Sequence, residues 1–112
     1  MDKLTDSPDE VQALEEIVMG LIVNSGQARS LAFTALKQAK AGEFAKARNL
    51  MAASHQALNE AHQVQTQLIE ADQGTGKTRV SLVLVHAQDH LMTSMLAREL
   101  VTELIELHEK IV

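Results

Sequence analysis

The segment Val80-Ser81-Leu82-Val83-Leu84-Val85-His86-Ala87-Gln88-Asp89-His90-Leu91-Met92-Thr93-Ser94-Met95-Leu96-Ala97-Arg98-Glu99-Leu100 decides the fold. Its first six residues are aliphatic and β-branched enough to read locally as a strand. The continuation to the C-terminus is too long for a strand and repeats at helical spacing, so a helix is expected from about Thr78 or Ser81 onward. That helix carries two apolar stripes. One is Leu82, Val85, Asp89, Met92, Leu96 and Leu100; the other is Leu84, Ala87, Leu91, Ser94, Val101 and Ile105. A helix of a monomeric three-helix bundle needs one such stripe. The second predicts self-association through this helix, with an exposed groove for a different protein as the rival reading.

Working outward, the same periodicity recurs twice upstream. Val11, Leu14, Val18, Leu21, Ser25, Ala28, Ala32, Ala35 and Ala39 line one face of a first helix, which Gly42 ends. Phe44, Ala47, Met51, Ser54, Leu58, Ala61, Gln65 and Leu68 line a second. Ser7-Pro8-Asp9-Glu10 has the form of a capping box, with Ser7 at the N-cap and Pro8 at the first helical position. Gly20 and Gly26 fall inside the first helix, where each costs about 1 kcal/mol relative to alanine, and close helix packing is their expected use. The expected architecture is all-α: three long antiparallel helices, each of about thirty residues or roughly 45 Å. Residues 8–112 form one such domain behind a flexible N-terminal tail, 1–7.

Composition agrees and excludes. Of 112 residues 46% are hydrophobic but only 2% aromatic, so the interior is built from aliphatic and small side chains that let helices approach closely. Ten Lys+Arg against fifteen Asp+Glu give a net charge of −5, which argues against the clustered positive charge that nucleic acid demands. The longest aliphatic run, Ile17 to Val23, falls far short of the roughly 20 residues of a membrane span. The acidic N-terminus lacks the apolar segment of a signal peptide. Zero cysteines exclude disulfides and a thiol nucleophile and agree with a reducing compartment. A soluble, intracellular helical domain is expected.

Three segments invite chemical readings. Ala71-Asp72-Gln73-Gly74-Thr75-Gly76-Lys77-Thr78 fits a relaxed phosphate-loop pattern with Ala71 in place of the first glycine. A true phosphate loop follows a buried strand, whereas this one follows a helix, so an interhelical connection is expected. Asp89 falls within the first apolar stripe of the third helix, where a carboxylate is costly unless paired, protonated or bound to a cation. It is either a buried aspartate satisfied by hydrogen bonds or a ligand at a helix–helix interface. If third helices meet around a symmetry axis, copies of Asp89 converge and a hard divalent cation could neutralise them. His86 and His90 lie one turn apart, between the two stripes, sharing a face with Thr93 and Ala97. They read as a metal pair, as a chemically active histidine with its neighbour, or as two polar residues at a helix boundary. His55, His62 and His108 are lone histidines at helical positions, and Glu99, Glu103, Glu106 and Glu109 with Arg98 and Lys110 read as a solvated edge.

The segment Val80 to Ser94, together with Val18 to Ser30, Ala57 to His62 and Glu103 to Lys110, closely resembles the lactose/cellobiose-type IIA proteins of the bacterial sugar phosphotransferase system. The resemblance covers nearly the whole chain. It implies a cytoplasmic homotrimer of three-helix subunits, nine helices in all, without direct membrane insertion. It further implies that His86 accepts a phosphoryl group from HPr and passes it to a cysteine of a cognate IIB protein. The imported sugar would be a β-linked disaccharide of the N,N'-diacetylchitobiose or cellobiose class. Asp89 matches an aspartate at the trimer axis, where a divalent cation, Mg2+, would be structural. Gln88 and His90 match motif positions near the active histidine and would support it. A metal-binding helical bundle and a non-catalytic helical adaptor are the competing functions.

Overall fold

The structure is a computed structural model and describes residues 8–112. The expected tail 1–7, with the Ser7 cap, lies outside the described residues. Three helices make up the fold: α1 (Pro8–Lys40), α2 (Phe44–Asp72) and α3 (Leu82–Ile111). The chain forms a rod of 60 × 22 × 19 Å. α1 is the central element, packing most extensively on α2, then on α3, while α2 and α3 touch least.

Local chemistry sets each boundary. Asp9 and Glu10 sit in the first turn of α1 and Lys37 and Lys40 in its last, complementing the helix dipole. Gly42 follows in the left-handed region at φ 83°, with its N–H donating to Ala39 O and that of Glu43 to Gln38 O. This tight reversal makes α2 the antiparallel neighbour of α1. α3 begins at Leu82 with Ser81 as N-cap: its backbone is extended and its hydroxyl accepts from the Leu84 N–H at 3.2 Å. The β-branched run is thus helical from its third residue, as the long periodicity requires.

The connection between α2 and α3 is tied to Asp72. Its carboxylate accepts the Thr78 N–H at 2.7 Å and the Gly76 N–H at 3.3 Å, and its carbonyl accepts the Thr75 N–H. A side-chain anion therefore already occupies backbone donors of the glycine-rich stretch that a phosphate loop would offer to its ligand. No strand precedes it among the described residues. The interhelical reading holds.

The core lies along two clusters. Near the α2–α3 connection Val18, Leu21, Ala28, Leu58, Ala61, Leu84, Ala87 and Leu91 are buried together. At the opposite end Ala32, Ala35, Ala39, Ala47, Val101 and Ile105 form the second. Each helix contributes one fully buried serine, Ser25, Ser54 and Ser94. Ser54 crosses from α2 to donate to the Ala28 carbonyl of α1 at 2.6 Å. The expected inward registers of α1 and α2 are the observed ones, with Val11, Leu14, Phe44, Met51 and Leu68 half-buried toward the ends. Of the two glycines inside α1, only Gly26 serves close packing; a Cβ added at Gly20 would meet nothing within 4 Å.

Alanine is what lets the rods approach, so enlarging it should be costly. Ala32→Leu, at a fully buried position, is expected to lower stability by about 1–3 kcal/mol through overpacking, read by urea denaturation.

Candidate active site

α3 turns one apolar stripe into the core and leaves the other open. Leu84, Ala87, Leu91, Ser94, Val101 and Ile105 are buried. On the opposite side Val85 is 53% exposed, Met92 52%, Leu96 56% and Leu100 55%. Leu104, Leu107 and Ile111 continue the exposed apolar surface toward the C-terminus. Asp89 lies within this open stripe and is itself exposed in the single chain. The expectation of a buried carboxylate is thus not met inside one subunit; burial there requires a second chain. A shallow groove of about 390 Å³, lined by Val80, Leu84, Val85, Gln88, Asp89 and Met92, runs beside it.

His86 and His90 flank the stripe on the side where α1 packs. Their rings are stacked with centroids 5.9 Å apart and planes 5° from parallel, as one-turn spacing allows. His86 is exposed and His90 half-buried. The Nε2 of His90 lies so close to α1 that a Cβ built on Gly26 would stand 3.3 Å from it. Burial pushes the His90 pKa below its usual value; the positive charges of Arg29, from α1, and of His86 act the same way, and Asp89 opposes them. His90 is thus the inner ring of the pair and His86 the outer, solvent-facing one.

The structure brings together His86 and His90 but not Gln88. Two residues along a helix is about 200°, and Gln88 lines hollows on the other flank of α3, one of them with Leu68, Asp72 and Thr78. Among the described residues no group of three or more His, Asp or Glu side chains gathers to hold a metal ion, so a His86–His90–Asp89 metal site within one subunit is not formed. His108 packs near the Phe44 ring at 6.0 Å, and Glu109 pairs with Arg48 across the surface at 2.9 Å. Arg98 departs from the solvated edge assigned to it, with its Nε buried. Gly26 and Arg29 are parts of the site that sequence reasoning did not place there. Finding them needs the register of α1 against α3, which no spacing within either helix encodes.

No helix among the described residues is long and apolar enough to cross a membrane.

The fold is a long three-helix rod with a histidine pair beside an uncovered apolar stripe, and comparison with known proteins gives its class. Residues 16–109 match the family described as "PTS system, Lactose/Cellobiose specific IIA subunit", and the chain belongs to it. It is a IIA component of the phosphotransferase system, a phosphocarrier of sugar uptake. The chain is 70% identical over 111 residues to the PTS system N,N'-diacetylchitobiose-specific EIIA component of Escherichia coli strain K12, covering 99% of this chain and 96% of that one. A solution structure of the IIA(Chitobiose)–HPr complex of the E. coli phosphotransferase system matches with a TM-score of 0.78 and 76% identity, covering 88% of this chain and 95% of that chain. The cellobiose-specific enzyme IIA of Bacillus anthracis matches with a TM-score of 0.82 and 46% identity, covering 87% and 89%.

The histidine pair has a pH signature. Because the folded state holds the His90 pKa below its unfolded value of roughly 6.5, the unfolded chain binds more protons between the two values. The contribution of His90 to stability is therefore full above that unfolded value and falls as pH drops toward the folded one. Residue-resolved NMR titration should place His90 below the ordinary histidine value of roughly 6.5, and Arg29→Gln should move it upward.

Proposed function

We propose that His86 is the phosphoryl acceptor of a cytoplasmic homotrimer that takes the group from HPr and hands it to a cysteine of a cognate IIB protein. The observation that carries this reading is the position of His86: exposed, stacked with His90, and at the border of an apolar stripe that its own chain leaves uncovered. A relay residue must be reached by two proteins in turn, which suits an exposed ring at a seam. The existence of an HPr complex for a relative 76% identical supports the donor. The 70% identity to an N,N'-diacetylchitobiose-specific component supports that β-linked disaccharide as the sugar served.

Phosphoryl transfer proceeds through a loose transition state, so the protein contributes in-line positioning and charge stabilisation more than covalent chemistry. The His86 ring is exposed and lies parallel to that of His90, with centroids 5.9 Å apart. Around a threefold axis running along the open stripe of α3, His86 lies on one flank of that stripe and Gln88 on the other. Gln88 of one copy then approaches His86 of the next, which gives it a supporting role that it lacks within one chain. Three copies of Asp89 meet at the axis. Oxygen donors of this kind suit a hard divalent cation, Mg2+, which would offset their mutual repulsion when bound.

Incubation with phosphoenolpyruvate, enzyme I and HPr should yield an acid-labile, base-stable phosphate on the parent chain. His86→Ala should abolish it, and labelling of that variant at the parent level would refute the acceptor assignment. Assembly is tested separately by light scattering on a sizing column. Asp89→Leu should keep the trimer, because it removes a desolvated charge from the axis. Leu96→Glu should dissociate it by burying an unpaired carboxylate.

A further inference from the structure

We propose that Gly26 of α1 is a positioning residue for phosphoryl transfer, its missing side chain leaving the space in which the His90 ring lies parallel to that of His86. The proposal deepens the assignment of His86 as acceptor and rests on it.

Three observations converge. A Cβ at residue 26 would stand 3.3 Å from His90 Nε2, tighter than ordinary van der Waals contact, so the imidazole would have to move by a few tenths of an ångström. The His90 ring is the platform on which His86 stacks, 5.9 Å away between centroids and 5° from parallel. Gly26 lies inside the 33-residue α1, not at a turn, and is absent from the residues of positive φ. Its backbone therefore asks for no glycine. A helix interior favours alanine, and glycine there lowers stability. The remaining physical use for this glycine is clearance for His90. Gly20, six residues earlier in the same helix, faces open space and has no such use.

His90 neighbours both Gly26 of α1 and the His86 ring, so a displacement at Gly26 reaches the reacting ring through one intermediary. A misplacement of order 1 Å in a reacting group can cost on the order of a hundredfold in rate, and a smaller shift a smaller factor. Gly26→Ala is accordingly expected to slow the first-order step of phosphoryl acceptance from HPr by roughly three- to tenfold. The KM for HPr should stay unchanged, and the variant should melt at or above the parent's temperature. His86 ring-proton shifts in the unphosphorylated protein should move, because the ring current of His90 moves.

A double-mutant cycle isolates the route. In a His90→Ala background the clearance is no longer needed, so adding Gly26→Ala should change the rate by less than about twofold. The proposal is overturned if Gly26→Ala slows transfer equally in both backgrounds, if only KM rises, or if the His86 shifts and the rate both stay at parent values. A parent chain that labels at a residue other than His86 overturns the acceptor assignment instead. The ring shifts still report on whether Gly26 sets the stack.

Discussion

α3 has two apolar faces, and one subunit can cover only one of them. α1 and α2 lie against Leu84, Ala87, Leu91, Val101 and Ile105, leaving Val85, Met92, Leu96 and Leu100 more than half exposed. The rest of the design follows from this constraint. A rod only 22 × 19 Å in cross-section cannot fold back to hide a second face, and its waist is filled with alanine and serine. Covering the open stripe with copies of itself is the solution we propose. It places Asp89 on the axis and His86 at its border.

Much of this was legible in the sequence because helical period is a strong signal over thirty residues. The inward positions of α1 and α2 were readable one by one, down to Ser25, Ser54 and Gln65, since small and polar residues at core spacing still mark the face. The start of α3 was readable only to within a few residues, because β-branched residues suit both a strand and a helix until Ser81 caps the first turn. Asp89 was legible as an anomaly, but the side on which it would be buried was not; period alone does not say which of two stripes meets α1. The separation of Gln88 from His86 follows from the helical period within α3, whereas the nearness of Gly26 to His90 depends on how α1 and α3 are phased and appeared only with the packing.

The chemistry divides in the same way. Histidine is suited to a relay because its neutral ring is a nucleophile near pH 7 and its phosphoramidate keeps a high transfer potential. α3 fixes the spacing of His86 and His90, and in our proposal α1, through Gly26, sets how the second ring sits beside the proposed acceptor. The chain has no cysteine, which agrees with the thiol step of the proposed relay belonging to another protein. The glycine-rich connection, which most resembles a phosphate site in sequence, is instead closed on Asp72.

The central claim is that the open stripe of α3 is an interface between copies of this chain. Sedimentation equilibrium of the unmodified protein tests it most directly. A single species of three times the 12.2 kDa chain mass, persisting on dilution, is the predicted result. A 12.2 kDa monomer across the same concentration range would contradict it, because the apolar face of α3 would then stand in water without a partner.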